Sequence, residues 1–311
     1  MYFQFRSAVA LCIGLLVCMQ VAVMAAEKPN NKNKADAKPP KKLRALIIDG
    51  QNNHDWKSTT PLLKKALETS GRFQQVDVAT APAAKHDNSG FRPKFANYDV
   101  VVSNYNGDRW PAATEKDFEA YIAGGGGLVT VHAADNSFPD WPAYNRMIGV
   151  GGWGGRSQDS GPHVYLDEQG KTVRDQSPGH GGHHGQQHEF TLRSRDAKHP
   201  IMRGLPPLWM HTQDELYDSL RGPAESLHVL ATTYADPAKG GSGRNEPMLM
   251  TIEYGKGRVF HTVLGHADYS MNCVGFITTF QRGAEWAATG EVTIPVPENF
   301  PTAEKSSPTS K

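Results

Sequence analysis

Thirteen histidines stand in this 311-residue chain, and eight of them fall in five short polar segments. The first segment is Gly50-Gln51-Asn52-Asn53-His54-Asp55-Trp56 and the second is His132-Ala133-Ala134-Asp135-Asn136. The third is Met210-His211-Thr212-Gln213-Asp214-Glu215-Leu216-Tyr217, and the fourth is Gly265-His266-Ala267-Asp268-Tyr269. Imidazole titrates near neutrality, so beside a carboxylate it can take a proton and return it. His54, His132, Glu215 and His266 form the candidate catalytic set, with Asp214 placed to orient a histidine. Asn53, Trp56, Asn136, Trp153 and Tyr217 are the candidate substrate-binding residues. Their amides can meet hydroxyls, and their rings can stack on the C–H faces of a sugar.

The fifth segment, Gly179 to His188, carries four His in nine positions. Imidazoles suit zinc, copper, nickel or iron. Yet the spacing fits no standard site, and no HExxH occurs. Glycines throughout make the loop costly to order, so a cleft-lining loop is the expectation over a metal-binding one. No cofactor is required by the sequence. A divalent metal, zinc first among them, is an open variant, with His132, His188, Glu215 and His266 as candidate ligands. Polar strand-end loops are common without function, and the third segment also reads as a surface turn plus an edge strand.

Several chemistries lack their signatures. There is no GxxxxGK[ST] phosphate loop and no GxSxG nucleophile elbow. Gly124–Gly127 precedes a strand rather than joining a strand to a helix, so it is no dinucleotide fingerprint. Cys273 opens the last expected helix, where a small core-facing residue is the simpler reading.

The elements that must position these groups alternate. Leu43–Asp49, Val76–Ala79, Tyr98–Ser103 and Leu128–His132 are short apolar runs expected as buried strands. Between them, Ser58/Thr59 with Pro61 marks a helix start, and Glu115–Ala123 shows an apolar helical face. This order favours an open, largely parallel α/β sheet, with ligands beyond the carboxyl ends of its strands. His54 and His132 both fall at such ends. In the second half, His188–Arg193, Leu227–Thr233, Met248–Tyr254 and Arg258–Leu264 are expected strands. The last two are joined by a tight Gly255-Lys256-Gly257 turn. Val274–Ala288 is a closing helix capped by Gly290.

The ends differ in composition. Residues 1–25 resemble a cleaved export signal, with Arg6, the apolar run Ala8–Val23 and small residues before Ala26. Residues 26–42 are a Lys/Asn/Pro-rich linker, 43–297 the folded domain, and 298–311 a second frayed tail. With the signal removed, no membrane span is expected and Cys273 is the remaining thiol. The net charge of +1 conceals six Lys in 27–42. The body is therefore mildly acidic, which argues against nucleic acid as a partner.

The stretches LRALIIDGQNNHDW, GGGLVTVHAA, HPIMRGLP followed by DELY, EPMLMTIEYGKGRVFHTVLGH and GAEWAATG occur in this order across 43–290. Together they resemble the ThuA-like (trehalose utilisation) family. The resemblance implies a class I glutamine amidotransferase-like fold: a flavodoxin-like, three-layer α/β/α sandwich around a mostly parallel sheet. Those amidotransferases carry a Cys after a central strand. The matching position here is His132, so the resemblance does not imply glutaminase activity. The expectation is an exported protein, periplasmic or extracellular, that acts on a small carbohydrate or keto-glycoside. Its chemistry would be acid–base work by His and carboxylate, with or without a metal, of hydrolase or isomerase type. The competing expectation is a non-catalytic carbohydrate-binding or metal-binding exported module.

Overall fold

The computed structural model describes residues 41–309. The expected signal and most of the expected linker lie outside the described residues.

The first half alternates as expected: β1 (Leu43–Asp49), α1 (Trp56–Thr69), β2 (Phe73–Thr80), β3 (Val100–Ser103), α2 (Ala112–Ala123), β4 (Gly127–Val131) and α3 (Pro142–Ile148). The second half is strand-rich. It contains β5 (His163–Leu166), β6 (Thr172–Asp175), β7 (His183–His184), β8 (His188–Ser194), β9 (Leu208–Asp214), β10 (Tyr217–Asp218), β11 (Leu227–Tyr234), β12 (Asn245–Tyr254) and β13 (Gly257–Thr262). The helices α4 (Asp268–Met271) and α5 (Val274–Thr289) follow.

The main sheet runs β2-β1-β3-β4-β13-β12-β11-β8-β9. The first five of these strands are mutually parallel. The next four reverse at every step. An α/β class with helices packed on the sheet is therefore observed, and the sheet joins a parallel half to an antiparallel half. β1 steps to one side of the sheet and β3 to the other, so right-handed crossovers place α1 and α2 on opposite faces. α5 packs on β3, β4 and β13 and touches α1. β3 and β4 are buried at every position, as central parallel strands covered on both faces must be. No helix among the described residues is long and apolar enough to cross a membrane.

Three local expectations are corrected. α1 begins at Trp56, because the Asp55 carboxylate accepts the Ser58 N–H at 3.3 Å and caps it. His132 lies just past β4, at the head of a short 3-10 turn. Residues 298–309 are not a frayed tail. The Thr302 carbonyl accepts the Met210 N–H at 2.7 Å, and Ser307 accepts that of Val274 at 2.8 Å. The segment thus covers β9, an edge strand whose unpaired backbone groups need partners.

Candidate active site

β1, β4 and β13 run in one direction, so their carboxyl ends open on one edge of the sheet, where ligands of such folds bind. The chain leaving β1 carries His54, the chain leaving β4 carries His132, and the chain leaving β13 carries His266. β9 lies four reversals beyond β13, so it points the same way. The sheet curls far enough for its end, Asp214-Glu215, to meet the β13 turn. The Gly265 and His266 N–H groups donate to Asp214 at 2.8 and 3.0 Å.

Two backbone features fix the imidazoles. His132 has φ +45°, a left-handed conformation unusual for a side chain other than Gly or Asn. It turns the ring back over the sheet, where Nδ1–H donates to the Val263 carbonyl at 2.7 Å. Gly265 has φ +109°, and a Cβ there would sit 3.0 Å from the Phe276 ring. Only glycine lets the turn pass this close and present consecutive N–H groups to Asp214.

Four of the expected residues converge. The Glu215 Oε2 atom lies 3.0 Å from His266 Nδ1, 3.5 Å from His132 Nε2 and 3.8 Å from His54 Nε2. The His54 ring centroid is 4.3 Å from that of His266 and 5.0 Å from that of His132. His132 is almost wholly buried, while His54 and His266 keep part of their surface open.

A cleft of about 430 Å³ opens above this floor. Its walls are Asn53, Asn106, Asn136, Trp153, His184 and Tyr217, with His54 and Glu215 below. The Tyr217 ring stacks on His132 at 4.0 Å between centroids and meets Trp153 edge-on at 4.6 Å. The Tyr217 hydroxyl lies 3.0 Å from His54 Nε2. Asn136 Oδ1 is buried without a hydrogen-bond partner.

The environment sorts the charges. Burial, then the neighbouring His132 and His266, push the His54 pKa down to about 4, so this ring is neutral at physiological pH. Burial works against charge on His132. Glu215, Asp214 and the Val263 carbonyl outweigh it, and its pKa lies above the ordinary imidazole value. Burial would raise Glu215 too, but His132 and His266 hold it well below the usual carboxylate range. Burial also raises the Tyr217 phenol far above its ordinary value, so it stays a neutral donor.

Other expected residues lie elsewhere. Asp214 is fully buried and does not face the cleft. It binds the His211 ring at 2.8 Å and the backbone of His266, so it positions the site from behind. His188 lies apart from the cluster: its Nδ1 meets the Gln186 carbonyl and its ring packs on Phe190. His54 takes the place expected for it among the converging ligand atoms. Trp56 begins α1 beneath the Lys57 ammonium and is not a wall of the cleft. Cys273 is buried at the start of α5, away from the cleft walls.

Sequence reasoning missed Asn106, carried His211 only as a member of its acid-and-imidazole segment, and did not single out His184 or Gln187 within the Gly/His loop. Asn106 follows the end of β3, the same signal that marked His54 and His132. β7 pairs with β10, setting His184 opposite Tyr217 and His183 opposite Asp218. That short ladder lays the Gly/His loop along the cleft, with His184 Nε2 3.4 Å from Glu215 Oε1.

The family described as ThuA, trehalose utilisation, matches residues 44–287. A solved structure of a protein described as ThuA-like from Parabacteroides merdae is 49% identical, with a TM-score of 0.84. The alignment covers 86% of this chain and 98% of that one. Another protein described as ThuA-like, from Bacteroides uniformis, shares 16% identity over 84% of this chain and 96% of its own. Its TM-score of 0.54 shows a common fold alone. No curated protein matches the sequence. The matched family model spans every element that delivers a residue to the cleft, and the chain belongs to the ThuA (trehalose utilisation) family.

Proposed function

We propose that the cleft takes an uncharged sugar or keto-glycoside and that Glu215, with the imidazoles around it, moves protons on that ligand. The observation that carries this reading is the convergence of three imidazoles on one carboxylate, with His54 and Glu215 of that group reaching a cleft walled by two aromatic rings and three asparagines. The volume lies within the range of small-molecule sites, about 300–1,000 Å³. Among the wall residues named above there is no Lys or Arg, which disfavours phosphorylated or acidic sugars. Amides suit hydroxyls, and Trp153 and Tyr217 offer faces for a pyranose ring.

Proton transfer needs an acceptor and a donor within hydrogen-bond reach of the same ligand. Glu215 is ionised and His54 is neutral, so both are acceptors beside the ligand. The Tyr217 hydroxyl is a neutral donor at the same wall. Such a set serves hydrolysis, isomerisation or enolisation next to a carbonyl. It lacks the thiol that glutamine hydrolysis would use. The leader-like composition of residues 1–25 supports the companion proposal that the protein works outside the cytoplasm, periplasmic or extracellular.

A thermal-shift screen of neutral sugars and keto-sugars tests the ligand class, since binding to the native state raises Tm by mass action. A stabilising sugar should then be turned over by the wild-type chain. Glu215→Gln should bind it and lose turnover by roughly 10²–10⁴-fold, the usual worth of a general acid or base. If Glu215→Gln turns the sugar over at the wild-type rate, the site is no proton-transfer centre. If no sugar stabilises the chain, the ligand class is wrong.

A further inference from the structure

The four converging side chains have a hydrogen-bonding defect that proton transfer alone does not explain. His132 donates from Nδ1 to the Val263 carbonyl, so Nε2 is the nitrogen that presents a lone pair whenever the ring is neutral, the form a metal ion would bind. That Nε2 is buried and has no hydrogen-bond partner. His54 Nε2 faces two groups able to donate, the Asn53 amide at 3.1 Å and the Tyr217 hydroxyl at 3.0 Å, so it too presents a lone pair. Glu215 Oε2 makes one close contact, to His266, and sits 3.5 and 3.8 Å from the other two nitrogens. The Glu215 oxygen and the unpartnered His132 nitrogen thus face one another across a gap longer than a good hydrogen bond, and the His54 lone pair, held toward them by the Asn53 amide and the Tyr217 hydroxyl, stands beside them.

We propose that His54, His132, His266 and Glu215 hold one divalent cation of the zinc class at the floor of the cleft. The four ligand atoms all lie within 4.8 Å of one another. Bonds of about 2.0–2.2 Å in a tetrahedral shell space ligand atoms roughly 3.3–3.6 Å apart. The three distances to Glu215 Oε2 straddle that spacing, so small side-chain shifts suffice. Three imidazoles and one carboxylate suit zinc, cobalt or iron rather than the all-oxygen shells of calcium and magnesium. Among the described residues this is the group whose ligand atoms converge.

The surroundings carry the outer contacts such sites need. The Val263 carbonyl fixes the His132 tautomer, and Asp214 clamps the backbone of both Glu215 and His266. Gln187 has its Nε2 3.2 Å from His266 Nε2, and its Oε1 accepts the Tyr269 hydroxyl at 2.6 Å. Loading would move the His266 proton from Nδ1 to Nε2. A half-turn of the Gln187 amide then brings its oxygen round to accept it. The Gly/His loop is not the metal site. His183 pairs with Asp218, His188 packs on Phe190, and only His184 reaches the cluster, at the other oxygen of Glu215.

This inference does not depend on what the cleft binds: with the ion in place His54 and Glu215 are its ligands, so the proton transfer proposed above belongs to the ion-free cleft, and the test of the ion needs no substrate. The full chain is stripped with a chelator and titrated with Co²⁺, whose visible absorption bands report the coordination shell. The same samples are assayed for zinc content and for Tm with and without Zn²⁺. One equivalent should bind, with four-coordinate or five-coordinate bands and a raised Tm. His132→Gln and Glu215→Gln should weaken Co²⁺ binding on the order of 100-fold or more, while His183→Gln and His188→Gln retain it. Circular dichroism checks that each variant folds. If His132→Gln does not fold, His54→Gln, half-buried at the cleft, takes its place. The proposal is overturned if wild-type binds no stoichiometric Co²⁺. It is equally overturned if a folded His132, His54 or Glu215 variant binds as wild-type does, or if a loop variant is the one that loses the ion.

Discussion

Asp214 and Glu215 are neighbours in sequence, each with imidazoles beside it, and they do opposite things. Asp214 is saturated. His211 Nε2 and the Gly265 N–H donate to one oxygen at 2.8 Å, and the Glu215 and His266 N–H groups donate to the other at 2.8 and 3.0 Å. Both members of the Asp214–His211 pair are fully buried. Glu215 has one close partner, three further imidazoles between 3.4 and 3.8 Å, and a cleft above it. A carboxylate with an imidazole is therefore not by itself a sign of chemistry. The sign is a carboxylate whose imidazoles stop short of it, in a place a ligand can enter.

The sharpest way to break this comparison is to convert each acid to its amide. Asp214→Asn leaves the buried His211 without its counter-charge and turns an amide N–H₂ toward donors. Breaking a buried pair in this way costs about 3–5 kcal/mol. Glu215→Gln removes a charge that only one close partner satisfies and that borders an open cleft, so its loss should be the smaller of the two. Urea denaturation of the two variants measures both. Equal losses would mean that the two carboxylates are both structural, and the functional reading of Glu215 would lose its support.

The alkaline arm of the stability curve separates the two sites further. Burial opposes charge on His211, but the Asp214 hydrogen bond, with the Cys273 thiol beside the ring, lifts its pKa to about 9. A raised pKa stabilises the fold below the ordinary imidazole value, near 6.5, and the contribution disappears as pH climbs through 9. His211 by itself therefore makes stability fall between pH 6.5 and 9, while the Cys273 thiol, which burial would raise but the His211 ring brings down to about 7, works the other way above pH 7. In a Cys273→Ala background the fall should be seen, and adding His211→Gln should flatten much of it. His132, whose pKa is also raised, contributes in the same direction as His211. Thermal unfolding across this range decides it, and an unchanged slope on adding His211→Gln would show that the buried pair is not ionised.

Legibility followed the range of the contacts. The ends of β1, β4 and the β13 region were readable because a local apolar run stops at a polar turn, and strand-end placement then predicts a shared edge. The position of Glu215 was marked by residue type alone. What brings it to the site is the curl of the sheet through four antiparallel reversals, and no local pattern records that. His188 stands among the candidate ligands because composition cannot tell which imidazoles of a glycine-rich loop face inward. The tail failed for a related reason. Its order comes from backbone hydrogen bonds to β9 and α5, which depend little on side-chain composition. Trp56 and Trp153 looked alike as loop aromatics until β7 and β10 paired.

That last distinction gives the smallest and most specific contrast. Trp153 has φ +50°, and its N–H donates to the Gly181 carbonyl at 2.7 Å. The Gly/His loop thus holds its backbone in a strained conformation while its ring meets Tyr217 at the cleft wall. Strain retained at such a position is expected where the ring has a ligand to serve. Trp153→Ala should weaken binding of a stabilising sugar by on the order of tenfold, about 1.4 kcal/mol. Trp56→Ala should leave that affinity unchanged, since its ring sits under Lys57 outside the wall. Gly182→Ala should resemble Trp153→Ala, because a Cβ there would lie 2.6 Å from the Gly152 Cα and 2.7 Å from the Trp153 backbone nitrogen. Calorimetric titration of the three variants ranks them. An affinity loss in Trp56→Ala equal to that in Trp153→Ala would move the sugar site off this wall and onto the start of α1.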